Sequence, residues 1–256
     1  MFIPKLKISS IDPEINAKFI CNYLSPEKVN NKTRPFAEKT FSMFPELRCI
    51  TNDSDDRERT QIITEAVYKR LQESSDEINT RINYFYEKFN TFIYDFIVAQ
   101  CKIYNYQWKD EHPFINCYVG YIPFYPRSTK DKTFFVSYND SERVFSGAVH
   151  EINHMIFYEK WKEMHGFDDL EEKYFPDPLW FLEEIIVDPT LNDTAVKPFT
   201  LYENRAYDQF YTQMVEDKSI MQHIIDMYAS KNSIEEFLED GYNFVCQNTE
   251  LLINGK

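Results

Sequence analysis

Glycine is scarce in this chain, and basic residues and long apolar runs are also few. The 256 residues include only 5 glycines, which argues against Gly-rich nucleotide-binding loops and against β-sandwiches with many turns. Lys and Arg total 28 against 42 Asp and Glu, which gives a net charge of -14. That balance opposes binding to nucleic acid or to anionic lipid, so neutral or basic partners are expected.

The cysteines form no pattern that predicts a disulfide framework or a thiolate zinc site. The chain has 5 of them, widely spaced and with no Cys-x-x-Cys pair, as expected for thiols in a reducing compartment. The N-terminal segment lacks the continuous apolar region of a signal peptide, and no window has the length of a membrane span. We therefore expect a cytoplasmic protein that does not enter a membrane; the sequence does not indicate its oligomeric state.

The chain is predicted to form a single domain over residues 1–256, because no linker rich in Pro, Gly or Ser divides it. Residues 1–110 are predicted to be a helical N-terminal region, with a division between two helices at Ser74-Ser75. Residues 111–256 are predicted to form a zincin-like catalytic core. Its predicted elements are strands at about 115–121 and 133–138, and helices at about 141–165, 178–187, 201–229 and 233–246. The predicted fold class is α+β, mostly α.

The sharpest local signal is His150-Glu151-Ile152-Asn153-His154, an HExxH sequence. Residues four apart lie on the same face of a helix, so both imidazoles can reach one cation. Glu151 then lies beside an open coordination position. A metal site is therefore predicted at this point of the chain.

The helix that this motif needs is supported by its flanking residues. An apolar stripe runs along residues 144–156, and Asn139 with Glu142 resembles a capping box. Gly166 is a plausible stop at the C-terminal end. Gly147 lies on the histidine face, where a missing side chain would leave room for water or substrate.

A second short helix carries two candidate third ligands, Glu183 and Glu184. Asp177 is a suitable N-cap, Pro178 suits the first helical position, and Pro189 disfavours helix immediately before it. The other side chains of this helix are apolar, and burying a carboxylate without a cation or donors costs several kcal/mol. Catalytic zinc commonly takes three protein ligands and leaves a fourth position open.

Glu184 is the preferred third ligand, and Glu183 remains its rival. Asp188 follows Glu184 by four residues, where its carboxylate could orient a ligating imidazole. If Glu183 were the ligand instead, Glu184 would be an outer acid or would face the substrate. Both alternatives require the two helices to meet.

The pattern His150-Glu151-x-x-His154 followed by Glu184-x-x-x-Asp188 resembles the gluzincin branch of the zincin metallopeptidases, which contains the thermolysin-like enzymes. The likeness is carried by residues of about 139–189. It implies one Zn²⁺ per chain on the two histidines and Glu184, with Glu151 as general base.

The same resemblance implies the parts of the site that contact substrate. In that family the edge strand of a small sheet binds the substrate backbone, and residues 133–138, with Phe135 and Ser137, occupy the corresponding place here. A downstream Tyr or His usually donates to the oxyanion. Tyr207 and His223 are the candidates chosen, from a set that also includes Tyr202, Tyr211 and Arg205.

Three functional hypotheses follow from these observations. The first is a zinc-dependent hydrolase, specifically a peptidase acting on peptides or proteins. The second is a catalytically silent protein in which zinc fastens two helices together and the function is partner binding. The third has no metal. The sequence does not specify the bond that is cleaved or the biological role.

Overall fold

A mixed four-stranded sheet joins the beginning of the chain to the middle of it. The computed structural model describes residues 2–26, 28, 34–50, 55–167, 170–200 and 204–254. Strand β2 pairs in parallel with both β1 and β4, and β3 is antiparallel to β4, so the order is β1-β2-β4-β3. The strands are β1 (Lys5–Ser10), β2 (Phe114–Gly120), β3 (Arg127–Ser128) and β4 (Thr133–Ser137), and a separate hairpin is formed by β5 (Met214–Val215) and β6 (Lys218–Ser219).

Helices surround this sheet and account for most of the described residues, so the α+β, mostly α, class is confirmed. In the first half they are α1 (Pro13–Tyr23), α2 (Arg34–Met43), a 3-10 turn (Pro45–Cys49), α3 (Asp56–Glu73), α4 (Ser75–Phe89) and α5 (Ile93–Ile103). In the second half they are α6 (Arg143–His165), α7 (Pro178–Ile185), α8 (Val187–Leu191), α9 (Lys197–Thr200), α10 (Gln209–Thr212), α11 (Ile220–Ser230), α12 (Ile234–Gln247) and α13 (Thr249–Asn254).

Helix α6, which contains the HExxH sequence, lies at the centre of the molecule. Its residues are buried almost continuously from Val144 to Trp161. Phe145 packs against an aromatic face of the N-terminal helices, with ring centroids 5.9 Å from Phe85 and 5.0 Å from Phe89. The aromatic side chains of α4 therefore serve as core packing around the central helix.

A buried amide, Asn153, lies one position before His154 and contributes to the orientation of α6 about its axis. Oδ1 of Asn153 accepts hydrogen bonds from Nε2 of Gln100 at 2.6 Å, the hydroxyl of Tyr104 at 3.0 Å and the hydroxyl of Thr190 at 3.3 Å. The donors lie on α5, immediately after it, and on α8. Because buried polar groups need partners, this network favours the observed orientation of the helix about its axis.

Several sequence predictions about element ends are confirmed. The chain divides between α3 and α4 at Ser74, and α6 ends at Gly166, which has the left-handed φ of 66° that glycine adopts without strain. Helix α7 begins as predicted, because the side chain of Asp177 accepts a hydrogen bond from the backbone of Leu179 and Pro178 follows the cap.

Other predicted elements differ from the structure. Helix α6 begins after Glu142 without a side-chain cap, so the predicted capping box does not form. The predicted helix at 201–229 is wrong within the described residues 204–229: the hairpin β5–β6 lies between α10 and α11. Pro189 does not end helical structure, because it lies in the first turn of α8, where a missing N–H costs nothing.

The five cysteines are free thiols, and two of them, Cys101 and Cys117, are buried. In the described part of the chain, no helix combines the length and the apolar character needed to cross a bilayer.

Candidate metal centre

The two histidines of the HExxH sequence point to the same place. Nε2 of His150 and Nε2 of His154 are 2.8 Å apart, with the ring planes nearly perpendicular at 82°. His154 is fully buried, and 28% of the side chain of His150 is exposed. One turn of helix therefore presents two imidazole nitrogens at the boundary between core and solvent.

Helix α7 places Glu184 against the same two nitrogens. Oε2 of Glu184 lies 3.5 Å from Nε2 of His150 and 3.8 Å from Nε2 of His154. These three side chains form a group whose ligand atoms all lie within 4.8 Å of one another. In the described residues this is the set of His, Cys, Asp and Glu donors that converges closely enough for a metal ion.

The spacing of the three donors fits a tetrahedral zinc ion. With Zn–N and Zn–O bonds of about 2.0–2.2 Å, two ligand atoms of a tetrahedral site lie about 3.4 Å apart. The observed separations of 2.8, 3.5 and 3.8 Å bracket that value. Two imidazoles and one carboxylate are also a standard donor set for catalytic zinc.

Glu183 occupies a different position from Glu184. Its carboxylate is fully buried and accepts two hydrogen bonds from Nη2 of Arg127, both at 2.8 Å. Its Oε2 also lies 3.2 Å from Nδ1 of His154, although that contact lacks hydrogen-bond geometry. A carboxylate in this position resembles the group that commonly orients a metal-binding histidine through its second ring nitrogen.

Arg127, at the start of β3, connects the acids of the site. Its Nη1 lies 3.1 Å from Oε2 of Glu151, and its Nε lies 2.7 Å from Oε1 of Glu172. Nη1 is also 4.0 Å from Oε1 of Glu184. One guanidinium thus meets four carboxylates, counting Glu183, and when all four are ionised their negative charge exceeds the positive charge of Arg127 by three. A divalent cation would offset most of that excess.

The ionisation of the site follows from burial and from these neighbours. Burial raises the pKa of Glu151, although the charge of Arg127 opposes the shift. Burial also raises the pKa of Glu183 well above its usual value. Burial, reinforced by Arg127, lowers the pKa of His154 well below its ordinary value, so this ring is neutral, which is the form that binds metals.

His150 titrates differently from His154. Burial lowers its pKa, but hydrogen bonding to Glu184 and the charge of Glu151 outweigh that effect, so the pKa of His150 is raised. The ring closer to solvent is therefore the one that the acids hold in its protonated form. A metal cation on the same nitrogen would compete with that proton.

Of the two predicted oxyanion donors, Tyr207 lies near the ligands and His223 does not. Tyr207 is half-exposed and packs against Trp180 of α7, with ring centroids 5.9 Å apart, and the charge of Glu184, followed by burial, raises the pKa of its phenol. Nε2 of His223 instead lies 3.0 Å from the carbonyl of Val215, and its ring packs against Phe244. Tyr202 lies outside the described residues, and Arg205 lines the pocket beside His150, so Tyr207 and Arg205 both remain donor candidates.

Asp188 and the predicted substrate strand also lie apart from the ligand group. Asp188 accepts hydrogen bonds from Tyr211 and Asn192. Strand β4 is not a free edge at its start, because β3 pairs with Thr133 and Phe134. The ring of Phe135 packs against the rings of Phe19 and Tyr118, and Ser137 lines a different pocket from the one beside His150.

Gly147 accommodates an aromatic ring. A Cβ at this position would lie 2.4 Å from Cδ2 of Tyr125, so the missing side chain makes room for that tyrosine. The phenol of Tyr125 donates to Asp140 at 2.9 Å. The ring forms one wall of the space beside His150.

Sequence reasoning missed Arg127 and Glu172. Arg127 lies in the polar run between two strands, and Glu172 lies in an acidic stretch that is typical of a solvated loop. Neither position carries a local signal, because their partners are more than twenty residues away in sequence. The sequence did give one hint: two adjacent acids in an otherwise apolar helix need a positively charged partner when they are buried.

Comparison of this chain with protein-family models, with curated proteins and with solved structures gave no match. Its function is therefore inferred from the residues of the site.

Proposed function

We propose that this chain is a zinc-dependent peptidase of the gluzincin type, with a zincin-like core that holds one Zn²⁺. The observation that carries the proposal is the convergence of His150, His154 and Glu184 from two helices, with the carboxylate of Glu151 alongside. The group has three protein donors, which is the number that leaves a coordination position open for water.

Glu151 is the general base in this proposal. Zinc on the three ligands would supply Lewis acidity toward water and toward the substrate carbonyl oxygen. Arg127 engages Oε2 of Glu151 and leaves Oε1 to accept a proton from the attacking water. Glu151 then returns that proton to the leaving amine, and the phenol of Tyr207 donates a hydrogen bond to the oxyanion.

The test begins with metal content and turnover in matched variants. Purified protein is expected to contain about one zinc per chain by elemental analysis, and His150→Ala is expected to lose it. Glu151→Gln is expected to keep the zinc but to lose turnover of a peptide library by about 10²-fold or more, since a general base contributes 10²–10⁴-fold.

Two control variants keep these results specific. Glu163→Gln removes a half-exposed acid from the same helix, and His112→Ala removes an imidazole near β2. Both are expected to retain zinc and turnover. Undiminished turnover in Glu151→Gln would contradict the mechanism, and a zinc-free wild type would contradict the metal site.

A structural zinc site in a catalytically silent binding protein is the second candidate. It is favoured by one contact, the 3.1 Å pair between Arg127 and Glu151, because the arginine charge opposes the rise in the pKa of Glu151 that burial causes and so makes it a weaker base. A wild type that holds zinc but cleaves no member of a broad peptide library would support this candidate over the peptidase.

A further inference from the structure

A pocket of about 380 Å³ opens directly beside the proposed metal ligands. His150 and Glu151 form part of its wall, and Gly147 and Tyr125 form another part. Its volume falls within the range of ordinary ligand pockets, which begins at about 300 Å³. A group bound here would lie next to the atoms that the proposed reaction uses.

Two arginines, Arg143 and Arg205, line the same pocket. Arg143 is exposed on the first turn of α6 and forms no ion pair with the described residues. The guanidinium of Arg205 lies 3.9 Å from the ring centroid of Tyr211 and 3.2 Å from a carboxylate oxygen of Asp208. The stacking on Tyr211 holds Arg205 in place, and the largely exposed Asp208 neutralises it only in part.

The two arginines make the wall of the pocket positively charged, whereas the whole chain is negatively charged. The protein has a net charge of -14, yet among the described residues the one acid that lines the pocket, Glu151, is paired with Arg127. Two guanidinium groups at a pocket wall are suited to a planar anion, because arginine binds carboxylates through two parallel hydrogen bonds. A cationic substrate group would be repelled there.

We propose that this pocket binds a carboxylate of the peptide substrate beside the bond that is cleaved. The carboxylate belongs to an acidic side chain or to the C-terminus of the peptide. The inference rests on the proposed function in one respect, which is that the bound peptide is a substrate. Binding of the carboxylate itself requires only Arg143, Arg205 and the pocket. Binding can therefore be measured apart from cleavage.

The test uses three alanine-based pentapeptides that carry a neutral fluorophore. The first is capped at both ends and has a central Glu, the second is identical but has a central Gln, and the third has Gln with a free C-terminal carboxylate. Fluorescence anisotropy gives their dissociation constants for the Glu151→Gln chain, which cannot cleave them in the proposed mechanism. At least one carboxylate peptide is expected to bind about tenfold more tightly than the neutral peptide. Tighter binding of the Glu peptide would indicate an acidic side chain, and tighter binding of the peptide with a free C-terminus would indicate the terminal carboxylate.

The arginines are then removed one at a time in the same background. Arg143→Gln and Arg205→Gln are each expected to reduce the tenfold preference, and together they are expected to abolish it. Arg57→Gln, which removes an exposed arginine from α3, is the matched control and is expected to keep the preference.

The outcomes separate this inference from the proposed function. A carboxylate preference that depends on the two arginines supports the inference even when no peptide is cleaved by the wild type, a result that would count against the peptidase alone. Equal binding of all three peptides, no binding, or a preference that survives both arginine substitutions would overturn it. In the last case the carboxylate would be bound elsewhere, for example by a metal ion.

Discussion

Arg127 is the side chain on which the buried charge of the site depends. It is 2.8 Å from Glu183 and 3.1 Å from Glu151, and these two carboxylates are almost completely buried. Arg127→Met would leave both without their positive partner. We expect a decrease of about 3–5 kcal/mol in the free energy of unfolding, measured by urea denaturation.

Two further variants make this expectation specific to the guanidinium. Arg127→Lys is expected to be intermediate, because an ammonium group has one nitrogen and cannot reach Glu183, Glu151 and Glu172 at once, as the three nitrogens of the guanidinium do. Arg57→Met removes an exposed arginine and is expected to change the free energy of unfolding by no more than about 0.5 kcal/mol. Wild-type stability in Arg127→Met would show that the carboxylates do not need this cation.

At the level of elements, the sequence predicted best where local chemistry determines the structure. Asp177 and Pro178 start α7, and Gly166 ends α6, because capping and left-handed φ depend on the residue itself. The strands near 115–121 and 133–138 follow from alternating and β-branched residues, and β2 and β4 lie there. The four-residue spacing of the histidines likewise places both rings on one face of α6.

Elements and contacts that depend on distant partners could not be predicted in this way. The β5–β6 hairpin turns at Glu216, which has a φ of 55°, and glutamate gives none of the turn signal that Gly or Asn would give. Arg127 reaches Glu183 across 56 positions of sequence, and no periodicity reports such a pairing. For the same reason the choice between Glu183 and Glu184 needed coordinates: it depends on how α7 docks on α6.

An ion pair between Lys160 of α6 and Glu235 of α12 fastens the C-terminal helices to the central helix. The two groups are 2.5 Å apart, and Asn105 donates to the same carboxylate at 3.1 Å. Burial acts in the opposite direction, but the hydrogen bonds lower the pKa of Glu235 from 4.5 to about 2. Because the folded pKa is depressed, this stabilisation is present above about pH 4.5 and is lost as the pH falls toward about 2.

Glu235→Gln is therefore expected to flatten the dependence of stability on pH in that window. Urea denaturation at a series of pH values between about 4.5 and about 2 measures the slope. Lys160→Met removes the other partner and is expected to flatten it in the same way. An unchanged slope in both variants would mean that this contact adds nothing to the acid sensitivity of the protein.

For the molecule as a whole, the proposed metal would join two elements that are separate in sequence. His150 and His154 belong to α6, Glu184 belongs to α7, and residues 168 and 169 between these helices lie outside the described part of the chain. An unfolded chain does not hold the three donors together, so zinc would bind mainly to the folded state and shift the equilibrium toward it.

Removal of zinc is accordingly expected to lower the melting temperature. At a free zinc concentration of about 100 times the dissociation constant, binding stabilises the folded state by about 2.7 kcal/mol. For a chain of this size, 1 kcal/mol corresponds to about 2–4 °C, so a chelator should lower Tm by about 5–10 °C in a calorimetric scan. His150→Ala should melt at the same temperature with and without the chelator, because it lacks a ligand. If added Zn²⁺ restores the wild-type Tm and Mg²⁺ does not, the site has the preference for zinc that is expected of two imidazoles and one carboxylate. If the chelator leaves the wild-type Tm unchanged, no bound metal stabilises the fold.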